Sequence, residues 1–298
     1  MPSTAGQSPF SLDNHAAYEA WRAGKLAAQP DSLDDLLVEV DDPRRLTDAE
    51  FDALAERIRR ANMVVYVGRT GDDPDKDIPR LLGARFGLHR LDHNPGADDD
   101  AITSITVQSD ALRRGFIPYT DRPIAWHTDG YYNGADRQIN AMVLHCVRPA
   151  AQGGSNGLID HEMLYLKLRD QDPAHIRALM HPEAMTIPPN VVDGEELRPA
   201  STGPVFSLGP RGHLHMRYTD RRRNISWRDD ADTTAAVGAL RALLEDETLP
   251  RFEATLQPGW GLLCNNVLHR RGRFSDTDGE RPRLLYRARY YDLIDPSA

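Results

Sequence analysis

Two short segments carry side chains that could bind a metal ion. The first, Trp126-His127-Thr128-Asp129, contains a His-x-Asp pair, and His269 stands in a strand-like run far along the chain. Residues i and i+2 of an extended chain point to the same side, so His127 and Asp129 can face one ion. Two imidazoles and one carboxylate on one face of a metal leave the opposite face open, which is the donor set of non-haem Fe(II) oxygenases. Only the tertiary fold can unite these three side chains.

Arginines near the C-terminus could hold an anion close to such a metal. Arg283, Arg287 and Arg289 alternate along a strand-like stretch, so their side chains share one face. A 2-oxo acid that chelates iron through its keto oxygen and adjacent carboxylate leaves its distal carboxylate exposed, and a guanidinium can bind that group with two hydrogen bonds. The competing interpretation is an exposed edge strand whose arginines form salt bridges.

A second histidine pair supports a different hypothesis. His213 and His215 lie on another strand-like run and could bind zinc in a zinc-dependent hydrolase, although no carboxylate, cysteine or third histidine is near them in sequence. They could equally be half-buried strand histidines that bond to neighbouring groups. A third hypothesis is a non-catalytic jelly-roll binding protein, in which neither set of histidines acts on a substrate.

The composition is that of a globular protein without a nucleic-acid or membrane signature. The 298 residues include 36 basic and 45 acidic side chains, a net charge of −9, so we expect a small-molecule substrate and no nucleic acid or membrane as a partner. No run approaches the roughly 20 apolar residues of a membrane span, and residues 1–14 lack signal-peptide features, which predicts a cytoplasmic protein. Cys146 and Cys264 lie in apolar runs and are predicted to be buried thiols.

The strand-like segments predict a mainly β fold with flanking helices. They concentrate at residues 100–150 and 184–292 and are interrupted by a helical insert around residues 160–182. This α+β pattern indicates a two-sheet jelly roll, or double-stranded β-helix, with helices packed outside. Residues 46–298 are predicted to form this single domain. The polar, proline-dotted residues 1–45 are predicted to form an N-terminal arm, either a lid or an oligomer contact.

Local signals mark where several helices begin. Thr47 and Glu50 form a capping-box pattern ahead of an apolar stripe, which predicts a helix that ends near Ala61. Asp160 and the pair Asp172-Pro173 are typical helix starts, so the insert is predicted to contain two helices.

Four blocks of sequence together resemble a known family. In chain order they are Arg122-Pro123-Ile124-Ala125-Trp126-His127-Thr128-Asp129-Gly130, Gly153-Gly154-Ser155-Asn156, Asn266-Val267-Leu268-His269-Arg270 and Arg281-Pro282-Arg283-Leu284-Leu285-Tyr286-Arg287. Their types and order resemble the taurine dioxygenase group, the TauD/TfdA-like Fe(II)/2-oxoglutarate-dependent oxygenases. The resemblance spans roughly residues 60–292 and is specific only when the blocks are taken together.

The resemblance implies roles for individual residues. His127, Asp129 and His269 would be the iron ligands and form the catalytic centre, and Arg283 would bind the distal carboxylate of 2-oxoglutarate. The family usually has threonine where this chain has Asn156, whose amide could donate to that carboxylate instead. Related halogenating enzymes have a small residue in place of the carboxylate ligand, so the presence of Asp129 implies oxygenation.

Further residues are assigned to the co-substrate and substrate sites. Trp126, next to the first histidine, is predicted to contribute to the 2-oxoglutarate site, and Arg287 to meet an anionic group of the substrate. Tyr131 and Tyr132 follow the metal motif and are predicted to line the pocket entrance. Arg217 begins a polar and aromatic cluster that suggests an acidic or amino-acid-like substrate. The alternative for that cluster is a surface loop paired with nearby aspartates.

The resemblance also implies cofactors and a reaction. Fe(II), 2-oxoglutarate as co-substrate and O2 would together hydroxylate an unactivated C–H bond of a small, anionic or amino-acid-like molecule, with release of succinate and CO2. Several members of the family are dimers or tetramers, so we expect a homo-oligomer.

Overall fold

A computed structural model describes residues 8–93, 98–107, 117–192, 194–221, 225–277 and 281–294. In this described part the α-helices are α1 His15–Ala27, α2 Asp48–Ala61, α3 Asp77–Arg85, α4 His161–Gln171, α5 Pro173–Leu179 and α6 Ala231–Glu245. None of them combines the length and apolar character that a membrane crossing requires.

Short strands make up most of the remaining regular structure. In chain order they are β1 Leu37–Val40, β2 Met63–Gly68, β3 Thr103–Ile105, β4 Ile124–His127, β5 Ala141–Arg148, β6 Gln152–Gly153, β7 Asn156–Ile159, β8 Met185–Ile187, β9 Asn190–Val192, β10 Glu195–Arg198, β11 Ser201–Gly203, β12 Phe206–Leu208, β13 Leu214–Met216, β14 Ser226–Trp227, β15 Phe252–Ala254, β16 Trp260–Cys264, β17 Leu268–Arg271, β18 Phe274–Ser275 and β19 Leu284–Tyr290.

The chain folds into two compact units. The first comprises Met1–Gln29, Trp126–Gln138 and Ile159–Pro250, and the second comprises Pro30–Ala125, Ile139–Leu158 and Arg251–Ala298. The division that the sequence suggests, an arm over residues 1–45 and one domain over residues 46–298, stays a prediction.

The largest sheet belongs to the second unit and has the order β1-β2-β16-β5-β19-β3. Because successive side chains of a strand point to opposite faces, Val64 and Tyr66 of β2 join one buried cluster with side chains of α2 and α3. Met63 and Val65 point the other way and join a second cluster. Both faces of this sheet are therefore covered, which explains the unbroken apolar run of β2.

A four-stranded sheet, in the order β15-β7-β17-β4, supplies the other side of the second cluster. Leu158 of β7 and Phe252 of β15 pack there with Met142 and Leu262 of the larger sheet. Two sheets around one apolar core, with helices on the outer face of one of them, agree with the predicted mainly β jelly roll.

The predicted helix starts are confirmed. The Thr47 side chain accepts a hydrogen bond from the Glu50 backbone N–H in a capping box, and α2 ends where Asn62 adopts φ of 58°. Asp160 and Asp172 cap α4 and α5 in the same manner, each through a side-chain oxygen. The two cysteines are buried and reduced, as predicted.

The N-terminal helix packs on α4 within the first unit. The Tyr18 hydroxyl donates to the Asp170 carboxylate at 2.8 Å, and Arg22 forms an ion pair with the same carboxylate at 2.7 Å. Lys25 is buried and contacts Asp160 at 2.5 Å and Glu162 at 2.7 Å. These contacts account for the position of residues 15–27 within this chain, and a role for residues 1–45 as a lid or an oligomer contact stays a prediction.

The buried ion pairs of Lys25 predict a large stability effect. Lys25→Met should lower the free energy of unfolding by about 3 kcal/mol, because it leaves two carboxylates without their buried counter-charge. Arg22→Met, on the same helix, should cost below about 1 kcal/mol, since its ion pair with Asp170 is exposed. Urea unfolding followed by far-UV circular dichroism measures both. Equal losses of unfolding free energy in the two variants would contradict a larger stabilising contribution from the buried lysine.

Candidate active site

The first histidine and the aspartate lie at the end of β4, on a stretch that neighbouring backbone holds extended. The Thr128 N–H donates to the Tyr218 carbonyl at 3.0 Å, and the Asp220 N–H donates to the Trp126 carbonyl at 2.8 Å. The Thr128 hydroxyl accepts from the Tyr218 N–H at 3.1 Å, so Thr128 faces away from its neighbours. His127 and Asp129 share the opposite side, with 3.9 Å between His127 Nε2 and Asp129 Oδ1.

The second histidine is oriented by its own backbone. His269 lies on β17, after Asn266 takes a positive φ of 47° and donates its side-chain amide to the Ile139 carbonyl at 2.7 Å. His269 Nδ1 lies 2.9 Å from the carbonyl oxygen of Val267. A carbonyl can only accept, so Nδ1 must carry the proton and Nε2 keeps its lone pair. This is the tautomer that a metal-binding imidazole needs.

The three side chains form a donor set that suits a divalent metal ion. His127, Asp129 and His269 each offer one ligand atom, and these atoms lie within 4.8 Å of one another. His127 and Asp129 are buried and His269 is half-buried. Among the described residues no other group of three His, Cys, Asp or Glu side chains meets this distance, so the His213 and His215 pair has no third zinc ligand there.

Arg283 is a buried cation that forms no ion pair with an acidic side chain of the described residues. Its side chain is 4% exposed, and no atom of the described residues accepts a hydrogen bond from its buried Nη1. Burial lowers the pKa of this guanidinium to about 10, since water no longer stabilises the charge fully. Such a group is satisfied by an incoming anion, and two parallel hydrogen bonds to a carboxylate are its best match.

The Gly153-Gly154 block lies beside this arginine. Gly153 has φ of 74°, and a Cβ there would lie 2.3 Å from the carbonyl oxygen of Arg273, the residue before β18. Gly154 has φ of 75°, and a Cβ there would lie 3.4 Å from Phe274 Cβ and 3.6 Å from Arg283 Nε. Both positive φ values favour glycine, and at Gly153 the absence of a Cβ also lets β6 approach the Arg273 backbone closely.

Phe274 supports Arg283 from one side. The Arg283 guanidinium carbon lies 4.9 Å from the centroid of the Phe274 ring, and Arg271 contacts the same ring at the same distance. The ring is 4% exposed, so these cation–π contacts are shielded from water. Phe274 is thus a positioning residue for the arginine that is predicted to bind 2-oxoglutarate.

Loss of this ring should weaken co-substrate binding without changing the chemistry. Phe274→Met keeps the volume and removes the π face, so we expect the KM for 2-oxoglutarate to rise roughly fivefold while kcat stays unchanged. Phe274→Tyr should retain the wild-type KM. Phe252→Met, which removes a buried ring that makes no cation–π contact within the described part of the chain, is the control. A kcat loss in Phe274→Met at saturating 2-oxoglutarate would contradict this assignment.

Other predicted site residues occupy varied surroundings. The Asn156 amide donates to the Ala254 carbonyl at 3.2 Å, within the β7–β15 pair. Trp126 is buried, and Tyr131 and Tyr132 are half-buried with ring centroids 5.2 Å apart. Arg287 is half-buried on β19. Their roles toward co-substrate and substrate stay predictions.

Arg217 is held by backbone groups. Its terminal nitrogens donate to the Ser201 carbonyl at 2.7 Å, the Met185 carbonyl at 3.1 Å and the Gly203 carbonyl at 3.4 Å. The side chain is 5% exposed. These bonds join β8 and β11 around Arg217 and account for its burial without any ligand, so the proposed contact with substrate stays a prediction.

Arg271 has a structural role that was not predicted from the sequence. Its Nη2 donates to the carbonyls of Thr120 and Arg122, each at 2.6 Å, and its Nη1 to the carbonyl of Pro118 at 3.1 Å. Arg271 therefore orders the segment that leads into β4. The sequence does contain an indication of this position, because Arg271 is two residues after His269 on a strand, and the two side chains must therefore lie on the same face of that strand.

Comparisons with known proteins agree with these observations. The family model described as taurine catabolism dioxygenase TauD, TfdA family matches residues 28–289. A protein of Amycolatopsis sp named uridine-5'-phosphate dioxygenase is 32% identical over 173 residues, which cover 55% of this chain and 60% of that protein. A protein of Streptomyces sp with the same name is 31% identical over 201 residues, which cover 64% of this chain and 69% of that protein. The match to the first relative thus spans less than two thirds of its length.

A solved structure shows the same fold. The non-heme iron oxygenase OrfP, in complex with Fe, succinate and (3S)-hydroxy-L-Arg, has 20% sequence identity and a TM-score of 0.57, with 91% of each chain covered. The predicted jelly-roll fold is thereby confirmed. With residues 28–289 matched, the chain belongs to the TauD/TfdA family, as the four sequence blocks predicted.

Proposed function

We propose that this protein is an Fe(II)/2-oxoglutarate-dependent dioxygenase that hydroxylates a C–H bond of a small anionic substrate and releases succinate and CO2. The observation that carries the proposal is the donor set of His127, Asp129 and His269, whose ligand atoms lie within 4.8 Å of one another. Two neutral imidazoles and one carboxylate would leave a divalent iron with a net positive charge and open positions.

The residues of the site have separate tasks in this reaction. His269 would hold iron through Nε2, because its Nδ1 proton is donated to the Val267 carbonyl. His127 and Asp129 complete the set of ligands from the extended stretch that Tyr218 and Asp220 hold in place. Bound iron with 2-oxoglutarate and O2 supplies the oxidation of the C–H bond.

Arg283 is proposed to bind the distal carboxylate of 2-oxoglutarate. Its buried Nη1 has no acceptor among the described atoms, and the Phe274 ring fixes the guanidinium from one side. An anion bound there replaces water around the charge and restores the hydrogen bonds that burial removed. Arg283 would thereby orient the co-substrate toward the proposed metal ligands.

Uridine-5'-phosphate is the first substrate to test. Both curated relatives are named for it, and its phosphate fits the anionic substrate that the arginines of the sequence suggest. An amino acid is the second candidate, because the OrfP structure contains a hydroxylated arginine. The expected dimer or tetramer stays a prediction that the molar mass in solution would check.

An anaerobic titration tests the proposal before any substrate is known. Fe(II) and then 2-oxoglutarate are added to the metal-free protein, and the visible charge-transfer absorption of the chelate is recorded. Appearance of the band, followed by succinate release with uridine-5'-phosphate in air, supports the proposed reaction. A folded, iron-loaded protein without the band would contradict it.

A further inference from the structure

The Thr128 hydroxyl replaces a backbone carbonyl in the pairing between the two proposed metal ligands that flank it. His127 and Thr219 form an isolated antiparallel bridge, so Thr128 and Tyr218 are the next residues opposite each other. The Thr128 N–H donates to the Tyr218 carbonyl at 3.0 Å, which is half of the exchange expected of such a pair. In a regular ladder the Tyr218 N–H would donate to the Thr128 carbonyl. It donates instead to the Thr128 hydroxyl, at 3.1 Å.

This exchange of acceptors coincides with the end of β4. The strand ends at His127, and Gly130, directly after Asp129, has φ of 67°. The Gly130 carbonyl accepts from the Asn133 N–H at 2.8 Å, which closes the turn that follows. The hydroxyl therefore joins the two stretches at the last residue before Asp129. Asp129 Oδ1 lies there 3.9 Å from His127 Nε2.

The opposing stretch is a fixed partner for this bond. Tyr218 is fully buried, and its hydroxyl donates to the Asp220 carboxylate at 3.3 Å. Arg241 of α6 lies 3.9 Å from the same carboxylate. Thr128 is fully buried as well, so water cannot replace its hydroxyl as the acceptor for the Tyr218 N–H.

From this geometry we propose that the Thr128 hydroxyl sets the relative orientation of His127 and Asp129 as ligands of a divalent metal ion. The inference rests on the proposed function, since it requires that both side chains bind the metal. Thr128 is a positioning residue, because its own side chain faces away from the two ligands and acts on them through the backbone. Groups outside the ligand set that orient the ligands typically change metal affinity by about 10–100-fold when they are lost.

Anaerobic titration of the full chain with Fe(II) tests this role. Thr128→Val removes the acceptor, so the Tyr218 N–H must bond to the Thr128 carbonyl or stay unsatisfied, and Fe(II) should bind about tenfold more weakly. Thr128→Ala, which places no methyl group against that N–H, should give the same loss. Thr128→Ser keeps the hydroxyl and should bind Fe(II) like wild type. With Fe(II) and 2-oxoglutarate saturating, the maximum of the charge-transfer band should shift in the valine and alanine variants only.

Thr233→Val is the matched control for the loss of a buried hydroxyl. Thr233 is fully buried at the start of α6, and its hydroxyl donates to the Asp230 carboxylate at 2.7 Å. Its replacement should lower the Tm, as replacement of Thr128 does, and leave Fe(II) affinity unchanged. Circular dichroism verifies that each variant is folded.

The outcomes separate the positioning role from the proposed function. Wild-type Fe(II) affinity in folded Thr128→Val and Thr128→Ala proteins would overturn the role. Thr128→Ser that binds Fe(II) as weakly as these variants would also overturn it, as would an equal loss in Thr233→Val, because that indicates general destabilisation. Weaker Fe(II) binding in Thr128→Val, together with an iron-loaded wild type that never forms the band, would retain the positioning role and reject the dioxygenase.

Discussion

Replacing Asp129 with alanine should weaken Fe(II) binding more than about 100-fold, the upper range for changes outside the ligands themselves. Asp129 is 4% exposed and gives the donor set its negative charge. Without it, two neutral imidazoles must hold a divalent cation in a buried site. The charge-transfer band should be lost or strongly weakened, and succinate formation should fall to background.

The control for this variant lies in the same loop. Asp136→Ala removes an exposed carboxylate seven positions later and should leave Fe(II) affinity unchanged. Iron binding is measured by anaerobic titration and the fold by circular dichroism. An Asp129→Ala protein with wild-type iron affinity would remove this residue from the metal site and revive the hypothesis of a jelly-roll protein without catalysis.

Replacing Arg283 with glutamine should raise the KM for 2-oxoglutarate by about 100-fold, because a buried charge pair contributes roughly 2–5 kcal/mol to binding. Fe(II) affinity should stay at the wild-type value, since Arg283 is absent from the donor set. In Asp129→Ala, by contrast, we expect the loss of affinity to fall on Fe(II). Steady-state succinate release at varied 2-oxoglutarate, with iron saturating, measures the effect.

The stability of the same variant gives a second readout. In the protein without co-substrate, the buried charge of Arg283 is poorly compensated, which is why its pKa falls to about 10. Arg283→Gln should therefore keep or raise the Tm while it loses co-substrate binding. Arg281→Gln, an exposed arginine paired with Asp72 at 3.2 Å, should change neither property. A Tm that falls steeply in Arg283→Gln alone would point to a structural role for this arginine.

Features that depend on a few neighbouring residues were predictable from the sequence. The capping box of Thr47 and Glu50 is a local hydrogen-bond pattern, so it predicts the start of α2 whatever surrounds it. The N-terminal caps of α4 and α5 are likewise local hydrogen bonds, so the sequence also predicts where these helices begin. The iron-ligand candidates could be named because their residue types, their order and their flanking residues form recognisable sequence blocks. The connection between these distant blocks came from the resemblance to a known family.

Features that depend on which acceptors surround a side chain were not predictable. Arg217 and Arg283 are both buried arginines, yet the terminal nitrogens of Arg217 donate to backbone carbonyls, whereas Nη1 of Arg283 has no acceptor among the described residues. Likewise the tautomer of His269 follows from the carbonyl of Val267, whose orientation depends on the turn at Asn266.

By itself, then, the sequence determined the element types, the family and the set of candidate ligands, because these follow from local periodicity and residue identity. Tertiary structure alone decided that Arg283 is buried with no acceptor for its Nη1 among the described residues, that Phe274 supports it, and that Tyr131 lies against His127. The physical reason is that burial and hydrogen-bond satisfaction are set by groups distant in the chain. Those groups become neighbours only when the sheets and helices pack.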